Sequence, residues 1–177
     1  MKTINYIILA TFIITLTAFS TEQVTLFEIS KDFSIKFAGT EVEGVFKSFS
    51  GDIQFDEEDL ASSKCLLKIE VNSINTGNGM KNKHAKSDKW FDAKNYPNIE
   101  FQSNIFSKTE TGYVVTGIMK IHGVENEISI PFTFNKSIFN STFTINRLDF
   151  KVGTMDGSSK KVSNEIKLDI SIPVTKK

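Results

Sequence analysis

The sequence predicts an all-β protein whose antiparallel strands close into a barrel. Most of the chain alternates apolar and polar residues with a period of two, which is typical of half-buried strands. Turn-forming residues separate these segments at short intervals, and no proline-rich linker, charge block or repeat divides the chain into domains. About eight or nine antiparallel strands at this spacing indicate a barrel or a sandwich. We favour the barrel because closure removes the edges that long strands would expose.

The first half of the chain contains four alternating segments. They cover residues 33–37, 42–49, 51–56 and 65–71. A turn is predicted at Ser50-Gly51, because serine and glycine both favour turns. In the last segment, apolar residues from Cys65 to Val71 alternate with Lys68 and Glu70. Cys65 is the only cysteine, so no internal disulfide can form, and its place on the apolar side predicts a buried, unreactive thiol.

Residues 75–97 interrupt the alternation. This segment has no period of two, and a connection of this length in a small domain is either functional or misassigned. We expect about two helical turns between Asn82 and Trp90, before Pro97 ends the excursion. Trp90 and Phe91 stand near its end, so we predict that they cover one mouth of the barrel and gate it.

The second half of the chain resumes the alternation. Its segments cover residues 98–103, 112–121, 127–134, 141–150 and 165–174, and turns are predicted at residues 111–112, 122–126, 135–137 and 156–158. The strand from residue 141 changes parity, because Ile145 and Arg147 share one face while Leu148 and Phe150 share the other. A bulge near Asn146 would explain the change. We expect Arg147 to pair with Asp149.

The N-terminal segment predicts export. Lys2 precedes a run of apolar and hydroxyl residues that contains no acid, and Ala18-Phe19-Ser20 resembles a signal-peptidase site. We expect a signal peptide at residues 1–20 and one mature domain at residues 21–177. The protein would then be periplasmic or secreted, without a membrane span after cleavage. A retained membrane anchor is the alternative, which the threonines in the run disfavour.

Charge and motif content exclude several classes of function. The sequence has 21 basic and 21 acidic residues, and this balance argues against nucleic acid or an anionic membrane surface as a partner. The only histidines, His84 and His122, lack metal-site spacing to Cys65 or to carboxylates. No nucleophile elbow, phosphate loop or dinucleotide fingerprint is present. We therefore predict no catalytic residues and no metal site, and we interpret the acidic run at residues 56–59 as a solvated turn.

Four stretches taken together resemble one known family. They read GVFKSFSGDIQFDEEDLASSKCLLKIEVNSINTG, WFDAKNYPNIEFQS, YVVTGIMKIHGVENEISIPFTF and RLDFKVG. In this order they resemble the YceI-like family of secreted polyisoprenoid- or lipid-binding proteins, over about residues 27–174. Two positions depart from that pattern: residues 81–85 read KNKHA where the family commonly has Arg-Asp-x-His-Leu, and Lys151 replaces a usual glycine.

The resemblance implies a fold and a function. The fold would be an eight-stranded antiparallel barrel of lipocalin type with a long hydrophobic cavity. The function would be non-enzymatic binding of an amphiphilic lipid, namely a polyisoprenoid, an isoprenoid quinone, or a long-chain fatty acid or amide. No other cofactor is expected, and a homodimer through an exposed face stays open. The alternatives are an extracellular β-sandwich interaction module with a filled core and an accessory that presents a quinone to a membrane oxidoreductase.

The candidate ligand contacts follow from an excess of phenyl rings. Fourteen of the 16 phenylalanines lie after Ser20, and flat rings can line a slot without leaving polar atoms unpaired. For each single ring, an ordinary filled core is the alternative. By parity, with the aromatic pair of the excursion added, we predict that the cavity is lined by Phe37, Phe46, Phe55, Trp90, Phe91, Phe101, Met119, Phe132, Phe134 and Phe143. The candidate head-group contacts are His84, His122 and Arg147.

Overall fold

The computed structural model describes residues 25–154 and 160–177. The predicted signal peptide and the turn predicted at residues 156–158 lie outside these ranges. The strands are β1 (Leu26–Ile29), β2 (Ser34–Gly39), β3 (Val42–Phe46), β4 (Phe49–Gln54), β5 (Lys64–Glu70), β6 (Ile74–Asn75), β7 (Asn98–Thr109), β8 (Gly112–Ile121), β9 (Val124–Asn135), β10 (Ile138–Asn146) and β11 (Glu165–Lys176). One short helix, α1 (Gly79–Ala85), lies in the interruption predicted at residues 75–97.

The strands form a closed antiparallel barrel. The order around the ring is β1-β4-β5-β7-β8-β9-β10-β11, and β11 returns to pair with β1. The same strand β11 pairs with β2 through its first half and with β1 through its last residues. β1 and β2 are therefore two parts of one bent strand, and β3 with β4 form another beside it. The predicted eight-stranded barrel is confirmed.

Strand β1 lies before the first predicted segment, and several predicted strand boundaries need correction. Ser50-Gly51 is not a turn but lies inside β4, where Gly51 (φ 152°) lets the backbone of Leu66 on β5 approach closely. β7 continues to Thr109, beyond the predicted end at residue 103, because a bulge between Ser103 and Ile105 preserves its pairing with β8. β10 ends at Asn146, and a 3₁₀ turn at Arg147–Phe150 rather than a bulge reverses the parity.

The barrel interior divides into two halves along its axis. β8 shows this most simply, because its inward residues run from Tyr113 and Val115 at one end to Met119 and Ile121 at the other. Seven aromatic rings fill the first end: Phe27, Phe55, Phe106, Tyr113, Phe132, Phe134 and Phe139. We call this set the aromatic cluster.

Phe55 is the centre of the aromatic cluster. Its ring contacts five other rings at centroid distances between 5.2 and 5.9 Å, most of them edge to face, and its side chain is 2% exposed. Aromatic pairs in this geometry stabilise a core beyond their buried area. At the rim, the Tyr113 hydroxyl donates to Glu57 Oε1 at 2.7 Å, and this bond with burial raises the pKa of Tyr113 to about 12. Glu57 belongs to the acidic run predicted to be a solvated turn. Its carboxylate thus accepts a hydrogen bond from a residue of the aromatic cluster.

Replacing Phe55 tests the contribution of the aromatic cluster. We expect Phe55→Ala to lower the free energy of unfolding by about 3–5 kcal/mol, because it removes a buried ring and leaves a cavity. Ile105→Ala, at a position 59% exposed on the outside of β7, is the control and should change the free energy by no more than about 0.5 kcal/mol. Urea denaturation measures both, and equal losses would contradict the central role of Phe55.

Cys65 lies on β5 and is a free, buried thiol. Burial raises its pKa from 9.0 to about 11, and hydrogen bonds with Ser103 oppose part of that rise. A protein thiol reacts as the thiolate. The buried cysteine predicted from the sequence is therefore present, and its raised pKa keeps the sulfur protonated and unreactive at neutral pH.

The raised pKa of Cys65 predicts a loss of stability in alkali. The unfolded thiol ionises near pH 9.0 and the folded thiol only near pH 11, so unfolding becomes more favourable as pH rises between these values. The wild type should lose roughly 2–3 kcal/mol over this interval through Cys65, and Cys65→Ala should lack that loss. Denaturation curves of both proteins across this range measure the difference, and parallel pH profiles would contradict it.

Candidate functional site

A cavity of about 260 Å³ occupies the half of the barrel opposite the aromatic cluster. Small-ligand pockets commonly measure roughly 300–1,000 Å³, so this volume suits one slender ligand. The wall is mostly aliphatic and comes from strands all around the barrel, including Ile35 and Phe37 of β2, Ile145 of β10, and Leu168 and Ile170 of β11. An unfilled space with such a wall favours hydrocarbon over water, because water would find few polar partners there.

Residues 76–97 cover the cavity, and we call them the cap. α1 begins there because the Asn78 side chain accepts hydrogen bonds from the amides of Met80 at 2.9 Å and Lys81 at 3.1 Å. The Asn82 side chain accepts two more bonds from Thr76, each 2.8 Å, which ties the helix to the end of β6. Because the Asn78 side chain fixes its first turn, the helix lies at Gly79–Ala85 and not at the predicted residues 82–90.

Trp90 and Phe91 lie where the cap meets the barrel. Both half-buried side chains line the cavity, as does Ala85 of α1. The Phe91 amide donates to the Ala85 carbonyl at 3.0 Å, and its ring packs edge to face on Phe46 of β3 with centroids 6.3 Å apart. The aromatic pair therefore joins the cap to the wall of the cavity.

Arg147 is the only arginine in the chain and is buried, with 6% of its surface exposed. Its guanidinium donates to the carbonyls of Val152 at 2.7 Å, Ser163 at 3.0 Å and Val162 at 3.2 Å. Its Cζ lies 5.4 Å from the centre of the Trp90 ring, a distance at which a cation attracts the ring face. Burial lowers the pKa of Arg147. The side chain thus binds the loop after β10 to the cap.

The predicted pairing of Arg147 with Asp149 is wrong. The only ion pair within residues 25–154 and 160–177 joins Lys120 to Glu125 at 3.0 Å. The 3₁₀ turn exposes Asp149 to solvent while Arg147 turns inward toward the carbonyls of the returning loop.

Polar groups concentrate at one edge of the cavity. Glu41, Thr76, Lys81 and His84 line it there, and Lys81 Nζ donates to the Glu41 carbonyl at 3.3 Å. Lys81 and His84 are exposed residues, so the cavity reaches solvent beside α1. Its opening therefore carries polar side chains above an apolar interior, an arrangement that matches an amphiphile with its head group outward. Lys81, His84 and Ala85 belong to the stretch that departs from the family pattern.

The predicted cavity-lining residues divide between the two halves of the barrel. Those on the cavity wall are Phe37, Phe46, Trp90, Phe91, Met119 and Phe143. Three others, Phe55, Phe132 and Phe134, lie in the aromatic cluster and away from the cavity. Phe101 is 4% exposed and belongs neither to the cavity wall nor to the aromatic cluster. Contact of any of these residues with a ligand stays a prediction.

The head-group candidates divide similarly. His84 and Arg147 line the cavity, whereas His122 does not. His122 occupies a turn with φ 52°, and its ring packs edge to face on Tyr96 with centroids 5.1 Å apart. Its buried Nδ1 has no hydrogen-bond partner within the described part of the chain.

Sequence analysis missed the aliphatic part of the wall. Residues such as Ile35, Ile69, Ile74, Leu168 and Ile170 line the cavity, yet each has the alternating pattern of any core residue. No local signal distinguishes an aliphatic residue beside a void from one in a filled core.

Two further features bear on chemistry. Within residues 25–154 and 160–177, no group of three or more metal-ligating side chains is close enough to hold an ion. Over the same ranges, no helix has the length and apolar character required to cross a membrane.

Comparison with known proteins identifies relatives over most of the chain. A family model described as the YceI-like domain matches residues 20–174. A UPF0312 protein of Vibrio parahaemolyticus is 30% identical over 139 residues, which are 72% of this chain and 73% of the relative. A UPF0312 protein of Pseudomonas syringae pv. tomato is 32% identical over 133 residues, or 68% of this chain and 69% of the relative.

Solved structures share the fold. The crystal structure of Burkholderia cenocepacia BcnA superposes with a TM-score of 0.75 at 27% identity, and the match covers 84% of this chain and 99% of BcnA. A polyisoprenoid-binding domain from Saccharophagus degradans, implicated in plant cell wall breakdown, gives a TM-score of 0.64 at 14% identity over 88% of this chain and all of that domain (100%). At that identity, the second match shows the fold alone.

Replacing Arg147 tests its role in holding the cap. We expect Arg147→Met to lower the free energy of unfolding by roughly 3 kcal/mol, because several carbonyls lose a charged donor in a buried place. Trp90 is the only tryptophan, so its emission should shift to longer wavelength as the ring gains contact with water. Lys83→Met, at an exposed position of α1, is the control and should change neither measurement. Unchanged emission in Arg147→Met would contradict the contact.

Proposed function

Because the chain belongs to the YceI-like domain family, we propose that it binds one amphiphilic lipid in the cavity beneath its cap. The observation that carries this proposal is the unfilled apolar space with polar residues at its solvent edge. The apolar tail lies against Leu168 and Ile170 of β11, and the head group lies near Lys81 and His84.

The tail supplies the binding energy. Burying a five-carbon isoprene unit gains about 4 kcal/mol by methylene counting. Bound ligands realise much less, about 0.3 kcal/mol per heavy atom, which amounts to roughly 1.5 kcal/mol per unit. The head group then sets orientation, because a buried polar group without partners would cancel much of this gain.

The ligand is a polyisoprenoid, an isoprenoid quinone, or a long-chain fatty acid or amide, and binding is non-enzymatic. The polar residues at the cavity edge support this class, since Thr76, Lys81 and His84 can donate to a hydroxyl, carbonyl or carboxylate oxygen. A polyisoprenoid-binding domain with the same fold is consistent with it. A β-sandwich module with a filled core fits less well, because the strands form a closed ring around a cavity.

The cap acts as the gate of the cavity. Trp90 and Phe91 line the space, and the first of them also contacts Arg147 of the barrel. Entry of a tail displaces or reorients this pair, so Trp90 fluorescence reports binding.

Export places the protein in the periplasm or outside the cell. This part of the proposal rests on residues 1–20, whose apolar run and small residues before Thr21 resemble a cleaved signal peptide. The mature chain, residues 21–177, would meet lipids released from a membrane.

Filling the cavity edge tests the function. We expect purified wild-type protein to release a lipid on organic extraction and to change its Trp90 fluorescence when farnesol is added. Ala85→Phe places a ring at a cavity-lining position of α1 and should reduce farnesol affinity at least tenfold. Mass spectrometry of the extract and a fluorescence titration are the two measurements.

Met80→Phe is the matched control, since Met80 is on the same helix but 75% exposed. It should retain wild-type affinity. Equal farnesol affinity in wild type and Ala85→Phe would place binding elsewhere on the protein, and failure to bind farnesol, a fatty acid or a quinone would refute the proposed function.

A further inference from the structure

The cap carries a local excess of positive charge. Residues 76–97 contain five lysines against two aspartates. The lysines are Lys81, Lys83, Lys86, Lys89 and Lys94. All of them are exposed except Lys86, which is half-buried. Among the residues that the structure describes, no carboxylate forms an ion pair with any of these lysines. Their charge is therefore available to a partner of opposite sign.

The densest acidic run of the chain lies at the other end of the barrel. Residues 56–59 read DEED, and Glu57 binds there to the rim of the aromatic cluster. Nearer the cap, Glu41 and Glu43 lie on the hairpin between β2 and β3 and offset part of the positive charge, since Lys81 reaches the Glu41 carbonyl. The overall charge balance, which argued against an anionic membrane surface as a partner, therefore does not describe the cap.

α1 adds an exposed apolar side chain to this basic surface. Met80 and Lys83 are three residues apart and share one side of the helix. Neither lines the cavity, and Met80 is 75% exposed. On a lipid bilayer, an apolar side chain of this kind enters the head-group region while neighbouring lysines contact anionic phosphates. The outer side of α1 has the chemistry of a membrane-facing surface.

We propose that the cap docks on the surface of an anionic phospholipid bilayer and brings the cavity opening against it. This deepens the proposed function and rests on it, because it names the place from which the cavity is loaded. Each lysine close to such a surface strengthens binding about fivefold. The opening lies beside α1, where Lys81 and His84 line its edge. An amphiphile that leaves the bilayer there enters the cavity with little exposure of its tail to water.

Protein-free vesicles provide the test. The mature chain, without added ligand, is mixed with vesicles of phosphatidylcholine alone or of equal parts phosphatidylcholine and phosphatidylglycerol, and the bound fraction is measured by co-sedimentation. We expect the wild type to bind the anionic vesicles more tightly than the neutral ones by about tenfold or more. High salt should remove this preference, because it screens charges at a surface.

A cap variant tests whether the lysines carry the binding. Lys83→Gln, Lys89→Gln and Lys94→Gln, combined in one chain, remove three exposed charges that do not line the cavity. Binding to anionic vesicles should weaken about 100-fold, because three contributions of about fivefold are lost. Met80→Ser should weaken it severalfold and leave its salt dependence unchanged. Both variants should keep the farnesol affinity of the wild type.

Lys64→Gln, Lys108→Gln and Lys176→Gln, combined in one chain, are the matched control. These exposed lysines lie at the opposite end of the barrel, where Lys108 pairs with Tyr113 and Lys176 pairs with Phe27. The control loses the same charge as the cap variant and should bind anionic vesicles as the wild type does.

Three results would overturn the docking proposal. The first is a wild type with no preference for anionic vesicles, and the second is an equal loss of binding in the cap variant and the control. The third is binding to native membranes but not to protein-free vesicles, which would indicate a protein partner. Failure of the wild type to bind farnesol, a fatty acid or a quinone would instead count against the proposed function, whatever the vesicles show.

Discussion

Closure of the sheet constrains everything else in this protein. Once β11 pairs with both β1 and β2, the chain has one interior, and an eight-stranded barrel is only just wide enough for side chains to fill. Each level along the axis can therefore either be filled by side chains or hold a void. The structure uses both solutions, with seven rings at one end and a cavity at the other. The filled half stabilises the barrel, and the proposed binding site lies in the hollow half.

The cap is needed because one half of the barrel is hollow. An open apolar cavity would expose its wall to water, and the barrel strands alone supply no cover for it. The segment after β6 covers it with Ala85, Trp90 and Phe91, and Arg147 holds that cover from the barrel side. The arginine is expensive to bury, and the carbonyls of Val152, Val162 and Ser163 offset part of that cost. The cavity, the cap and the buried Arg147 therefore depend on one another.

The sequence predicted the barrel, the interruption and the family, because each leaves a pattern that is local or extends over the whole chain. Alternation predicts which residues face inward, but it says nothing about height along the barrel axis. Phe37 and Phe55 therefore have the same pattern, although one lines the cavity and the other is central to the aromatic cluster. Height depends on the register between strands far apart in the chain. Arg147 was misassigned for a related reason, since its partners come from a loop that returns after the strand has ended.

The pairing of β1 with β11 also governs how the chain can acquire its structure. Phe27 of β1 pairs with Lys176 of β11, so the barrel cannot close until β11 has been synthesised. Contacts of this sequence separation form slowly, because a long loop must be ordered before they contribute. The earlier strands can form hairpins but cannot enclose an interior. A chain of this topology stays open until β11 has been made, and it encloses no hydrocarbon before that strand pairs with β1.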